Sequence, residues 1–83
     1  MQKSYTIDLN DIQKVQKFVN ICSKSNCIVS VKSDRWTVNG ASILGVLSLD
    51  LNNPAEVIIS GTHEDVNQIA NSLYVEHIIN IYC

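Results

Sequence analysis

Few side chains in this sequence could carry nucleophilic, redox or metal chemistry. The 83-residue chain has three cysteines, Cys22, Cys27 and Cys83, and two histidines, His63 and His77. An odd cysteine count with four residues between the first two matches no common zinc motif and no disulfide framework. Cys22 and Cys27 are expected to pack as small apolar side chains. No metal and no cofactor are predicted.

Neither histidine has the neighbours that a catalytic site requires. His63 follows Thr62 at the predicted start of a helix, where a solvated histidine of the first turn is the simplest interpretation. His77 lies near the carboxyl end, and the sequence offers it no partner. We therefore expect no catalytic residues, and the chain is predicted not to be an enzyme.

The composition predicts one globular domain spanning residues 1–83, with 46% hydrophobic and 17% charged residues. Lysines and acids are scattered and give a formal charge of −2, which argues against a nucleic-acid partner. The first ten residues, MQKSYTIDLN, lack the apolar core of a secretory signal. No segment approaches the ~20 apolar residues that span a bilayer, so a cytoplasmic location without membrane contact is expected.

Hydrophobic periodicity divides the first half of the chain into elements. SYTIDL alternates and predicts a first strand, whereas residues 11–24 have helical spacing, with Asn10 as the expected N-cap and Gln13 reaching back toward it. The apolar stripe of this helix comprises Ile12, Val15, Phe18, Val19, Ile21 and Cys22. CIVSVK and RWTVN predict two strands joined as a hairpin by Ser33 and Asp34, with Trp36 packed in the core or on the sheet.

In the second half, AEVIIS predicts a fourth strand, and Thr62 with Asp65 forms a capping box that opens a second long helix. The composition of the tail VEHIINIYC favours an extra C-terminal strand after a helix that ends near Leu73 or Tyr74. The alternative, which the sequence leaves open, is that the helix extends to about Ile79. The order is β-α-β-β-(short α)-β-α. It predicts the α+β class, with an antiparallel sheet covered on one face by helices. With a true final strand, a ferredoxin-like domain that binds small molecules or dimerises is the alternative.

The apolar run after Asn39 opens with Gly40, Ala41 and Ser42 and continues as ILGVLSL. A short helix turns about 100° per residue, so these side chains cannot all lie on one buried stripe. Val46 and Leu49 are expected on the core side. Parts of Ile43, Leu44 and Leu47 are expected outside, where an exposed apolar patch commonly marks a partner site.

The stretch WTVNGASILGVLSLDL resembles the regulatory-serine region of the histidine-containing phosphocarrier protein (HPr) family of the bacterial sugar phosphotransferase system. Val38-Asn39 and the two blocks Ser42–Gly45 and Val46–Leu49 fall on the family pattern without a gap. The resemblance implies an HPr-like open-faced β-sandwich with a four-stranded antiparallel sheet. It implies that Ser42 is phosphorylated by a dedicated serine kinase. It also implies that Ile43, Leu44 and Leu47 bind protein partners, namely phosphotransferase components or a transcription regulator.

The family's other motif is missing from this chain. A phosphocarrier of this family has a histidine at the amino end of its first helix, where LNDIQKVQK contains none. Depending on the register, Gln13 or Asp11 stands at that degenerate acceptor position. A glutamine there resembles the catabolite-repression paralogue, so the resemblance implies a regulatory module that transfers no phosphate. A working phosphocarrier with an acceptor relocated to His63 or Asp11 is the alternative.

Overall fold

Seven elements follow one another in the order that the sequence predicts. The computed structural model describes residues 1–50 and 52–79. The strands are β1 (Gln2–Ile7), β2 (Ile28–Ser33), β3 (Trp36–Asn39) and β4 (Ala55–Ser60). The helices are α1 (Ile12–Ser23), α2 (Ile43–Leu47) and α3 (His63–Val75). The short helix predicted after Asn39 is thus confirmed, with a length of five residues.

The four strands form one antiparallel sheet in the order β1-β4-β2-β3. Successive side chains of a strand alternate between the two faces of a sheet. Val31 pairs with both Val57 and Val38, and this row faces the helices. The other face is mainly polar and includes Ser4, Thr6, Ser30, Lys32 and Glu56. The predicted α+β architecture with one covered sheet face is confirmed.

The buried apolar side chains of the described residues form a hydrophobic core between the sheet and the helices. α1 contributes Val15, Phe18 and Cys22, while α3 contributes a stripe of four residues, Val66, Ile69, Ala70 and Leu73. Burying one large apolar side chain of this kind stabilises the fold by about 1.5–3 kcal/mol. The helical spacing of these positions is therefore what holds α1 and α3 against the sheet.

The start of α1 differs from the expectation by one residue. Asp11, not Asn10, is the N-cap, and its Oδ1 accepts a hydrogen bond from the backbone N–H of Gln13 at 2.9 Å. Aspartate and asparagine are comparable caps, but aspartate also places a negative charge at the positive end of the helix dipole. The expected reach of Gln13 back to Asn10 was therefore wrong.

α3 ends in a turn that excludes its extension to Ile79. The N–H of Ile78 bonds the carbonyl of Leu73 at 2.9 Å, and the N–H of His77 bonds that of Tyr74 at 3.0 Å. This is a Schellman motif, with His77 in the left-handed conformation at φ 61°. Ile79 then forms an isolated antiparallel bridge with Ile7. The rest of the predicted C-terminal strand, including Cys83, falls on residues 80–83, outside the described residues.

Polar contacts fix the carboxyl end of α3 beside the amino end of α1. The N–H of Asp8 donates to the carbonyl of Ile78 at 3.1 Å, and Lys17 Nζ lies 2.9 Å from Glu76 Oε2. α1 and α3 therefore run antiparallel over the sheet. Because α2 packs on both α1 and β3, it is part of the layered fold, and the ferredoxin-like alternative is excluded.

Trp36 does not pack as the sequence predicts, since 68% of it is exposed. It pairs with Ser33 at the tip of the β2–β3 hairpin, two register positions beyond the buried row that contains Val31. The helices do not extend over this end of the edge strand. Within residues 1–50 and 52–79, no helix has both the length and the apolar content to cross a membrane, and the longest, α3, has 13 residues.

Candidate regulatory and docking site

The loop that leads into α2 is held by hydrogen bonds that two of its backbone N–H groups donate. The N–H of Gly40 donates to the carbonyl of Val29 at 2.8 Å, and Asn39 Oδ1 accepts from the N–H of Ala41 at 2.9 Å. Gly40 is buried, and a Cβ there would stand 2.8 Å from Val29 Cγ1. A glycine is therefore needed for the chain to approach β2 this closely and to direct Ser42 to the start of α2.

Ser42 is the N-cap of α2. Its Oγ accepts a hydrogen bond from the backbone N–H of Gly45 at 3.2 Å, and its carbonyl accepts from Val46 at 3.0 Å. The side chain is half-buried. A Cβ on Gly45 would lie only 3.2 Å from Ser42 Oγ, so the glycine keeps space open around the hydroxyl.

α2 has a buried side and an exposed apolar side. Val46 is fully buried, and Leu49, just after the helix, is 8% exposed, as the sequence predicts. On the other side Ile43 is 39%, Leu44 is 79% and Leu47 is 40% exposed. We name these three residues the α2 apolar face. Their exposure confirms the predicted orientation.

The exposure of one residue in the predicted apolar stripe of α1 was missed from the sequence. Ile12, the first residue of α1, was assigned to the buried stripe but is 54% exposed. The first turn of α1 extends past the core, and burial begins only at Val15. The signal that could have identified it is its position directly after the cap residue Asp11.

The residues considered as phosphoryl acceptors do not come together. Asp11 and Gln13 are both exposed at the amino end of α1, and the Asp11 carboxylate is engaged in capping. His63 opens α3, and its Nδ1 lies 3.0 Å from the side-chain amide Nδ2 of Asn67. His77 occupies the turn after α3. Among the described residues, therefore, no histidine stands at the amino end of α1.

The two described cysteines do not form a nucleophilic or metal site. Burial, with a smaller contribution from Cys27, raises the pKa of Cys22 to about 12. Partial burial and then the Asp65 carboxylate raise the pKa of Cys27. Both thiols are therefore protonated near neutral pH. In the part of the chain that the structure describes, no group of three or more histidine, cysteine or acidic side chains could hold a metal ion.

The sequence model described as "PTS HPr component phosphorylation site" matches residues 12–75, which is most of the chain. The chain belongs to the HPr family. HPr proteins are phosphocarriers of the phosphotransferase system and interact with its other proteins. A comparison with curated protein sequences found no match.

Solved HPr structures share the fold of this chain. HPr from Bacillus anthracis strain Ames superposes with a TM-score of 0.67 at 22% identity, covering 87% of this chain and 94% of that protein. The Mycoplasma histidine-containing phosphocarrier protein gives 0.74 at 15% identity, covering 98% and 100%. HPr-C-His from Thermoanaerobacter tengcongensis gives 0.68 at 22% identity, covering 93% and 90%. At these identities the likeness establishes the fold alone.

Proposed function

We propose that this HPr-family chain is a cytoplasmic regulatory module that binds protein partners and carries no phosphate on histidine. The observation that supports the proposal most is a contrast between two helix amino ends. At α2, Ser42 caps the helix directly beside the exposed side chains of Ile43, Leu44 and Leu47. At α1, the cap is Asp11, and no histidine stands there in the described residues.

Docking is assigned to the α2 apolar face. A small domain rarely exposes adjacent large apolar side chains unless they contact a partner. Burying one leucine against a partner contributes about 1.5–3 kcal/mol, which is roughly a tenfold to hundredfold change in affinity. The partners implied by the family resemblance are a serine kinase, other phosphotransferase proteins or a transcription regulator. Each of them would have to offer an apolar pocket to Leu44, the most exposed member.

Regulation is assigned to Ser42. A phosphate there adds a charge of about −1.5 to −2 at neutral pH. It would replace the hydroxyl that now accepts the Gly45 N–H, at the end of α2 where unpaired amides favour an anion. The same charge would lie next to Ile43 at the rim of the docking surface. Phosphorylation would weaken the binding of a partner that needs a purely apolar contact. It would strengthen the binding of a partner whose pocket has a basic rim.

The experiment that tests this proposal is phosphorylation by an HPr serine kinase with ATP, with site mapping by mass spectrometry. Ser48, the C-cap of the same helix, supplies the matched control, because its hydroxyl donates to the Gly45 carbonyl and does not cap the amino end. The proposal predicts phosphate on wild type and on Ser48→Ala, and none on Ser42→Ala. Unmodified wild type, or phosphate retained by Ser42→Ala, would contradict the assignment of Ser42.

A further inference from the structure

A groove lies between the carboxyl end of α1 and the first turns of α3, at the opposite end of α1 from Asp11. Its volume is about 260 Å³. Ile69, which is buried, and Ile21, which is half-buried, are its apolar residues. Lys24 and Asn26 line it from the α1 side, and Asp65 and Gln68 line it from α3. We call these six residues the α1–α3 groove. It shares no residue with the α2 apolar face.

Two serines at the rim of the groove are already committed to the backbone. Ser25 Oγ donates to the carbonyl of Cys22 at 2.9 Å and accepts from the N–H of Cys27 at 3.3 Å. Ser72 Oγ donates to the carbonyl of Gln68 at 3.0 Å. These hydroxyls stabilise the end of α1 and the body of α3. They are therefore part of the frame of the groove and not its free polar groups.

The other polar side chains of the groove are unpartnered. Within residues 1–50 and 52–79, the side chains of Lys24, Asn26, Asp65 and Gln68 make no hydrogen bond and no ion pair. Two side-chain amides and two opposite charges thus face one small concavity. A ligand held between them could gain charge-assisted hydrogen bonds without breaking any that the fold already uses.

The two charges stand on different walls. Lys24 is the C-cap of α1, and Asp65 is half-buried in the first turn of α3. They do not form an ion pair. The Asp65 carboxylate also contributes, after burial, to the raised pKa of Cys27. A complementary ligand therefore carries a cationic group for Asp65 and an anionic group for Lys24.

We propose that the α1–α3 groove binds a free aliphatic α-amino acid. Its ammonium would contact Asp65, its carboxylate would contact Lys24, and its side chain would cover Ile21 and Ile69. The volume of the groove is below the ~300–1,000 Å³ typical of sites for drug-sized ligands. The groove therefore matches a ligand smaller than these. The amides of Asn26 and Gln68 supply additional hydrogen bonds to the carboxylate or the ammonium.

The test is a nuclear magnetic resonance titration of the ¹⁵N-labelled chain with L-leucine. The proposal predicts saturable shifts confined to residues 21–26 and 65–72, with the resonances of α2 unchanged. N-acetyl-L-leucine lacks the ammonium, and L-leucinamide lacks the carboxylate. Each should bind about tenfold more weakly, because each loses a charge-assisted contact. Absence of saturable shifts with L-leucine, or equal binding of all three compounds, would overturn the proposal.

Two charge-neutralising variants locate the site, each with a matched control. Asp65→Asn should lose about tenfold in L-leucine affinity, whereas Glu64→Gln, in the same helical turn but outside the groove, should not. Lys24→Gln should weaken binding similarly, whereas Lys14→Gln on the same helix should leave it unchanged. The cap bond to Thr62 Oγ1 is donated by the backbone N–H of Asp65, so it survives the substitution. Unchanged binding by Asp65→Asn would place the ligand elsewhere.

Discussion

The hydroxyl oxygen of Ser42 and the backbone amide of Gly45 are joined by a 3.2 Å hydrogen bond that begins α2. The same pair defines how much room the hydroxyl has, since a Cβ on Gly45 would lie 3.2 Å from it. One contact therefore links the stability of α2 to the accessibility of the proposed phosphorylation site. α2 in turn determines which side chains of the apolar run face the core and which remain free for a partner.

Ser42→Ala should lower the free energy of unfolding by about 1 kcal/mol, because it removes an N-cap. Ser42→Asp should recover most of this loss, since a carboxylate can accept from the Gly45 N–H and is favoured at a helix amino end. Urea unfolding followed by circular dichroism measures both changes. An Ser42→Ala variant as stable as wild type would mean that the cap contributes nothing in solution.

Truncation of a side chain should affect stability much more on the buried side of α2 than on its exposed side. Val46→Ala removes fully buried methyl groups and should cost about 1.5–3 kcal/mol of stability. Leu44→Ala removes an exposed side chain and should change stability by less than about 0.5 kcal/mol. Its effect should appear instead as weaker binding to a partner such as the serine kinase, measured by calorimetry. A large loss of stability in Leu44→Ala would contradict its assignment to the docking surface.

Stability should fall at alkaline pH because of Cys22. Its pKa is 9.0 in an unperturbed thiol and about 12 in the folded chain, so the folded state binds the thiol proton more tightly. This contribution is fully present below pH 9.0 and is lost as the pH rises from 9.0 toward about 12. Between about pH 8 and pH 10, wild type should lose roughly 1.4 kcal/mol more than Cys22→Ala does. Parallel pH profiles of the two proteins would contradict the buried-thiol account.

His77→Gly should stabilise the chain by about 1 kcal/mol. His77 holds a left-handed conformation at the C-terminal turn of α3, where a Cβ is unfavourable and glycine is not. His77→Ala is the matched control, because it removes the imidazole but keeps the Cβ, and it should leave stability nearly unchanged. Thermal unfolding distinguishes the two. If both variants change stability equally, the imidazole and not the backbone conformation is responsible.

Residues whose burial follows from local periodicity could be predicted from the sequence. Val46 and Leu49 were assigned to the core side of α2, and the exposed side was assigned to Ile43, Leu44 and Leu47, because helical geometry permits only one buried stripe. The order of strands and helices followed from the same alternation between periods of about two and 3.6 residues. The family was predicted from the resemblance of the stretch around Ser42 to HPr proteins, and not from periodicity.

Features that depend on where an element ends could not be predicted in this way. Trp36 and Ile12 fit apolar patterns but lie just beyond the core, at the tip of a hairpin and in the first turn of α1. The sequence could not distinguish Asp11 from Asn10 as the N-cap of α1, since both residue types cap well. The backbone geometry identifies Asp11. Lys24 and Asp65, which are far apart in sequence, both line the α1–α3 groove. Only the antiparallel packing of the two helices brings them to the same groove.

The most direct test of the central claim is the intact mass of the chain after incubation with the general phosphotransferase enzyme and phosphoenolpyruvate. HPr from Bacillus anthracis, phosphorylated in the same reaction, shows that the donor is active. The account predicts that the control gains acid-labile phosphate while this chain keeps its unmodified mass. A phosphate gained by this chain, as acid-labile phosphohistidine on His63 or His77 or as an acyl phosphate on Asp11, would contradict the claim that it transfers no phosphate.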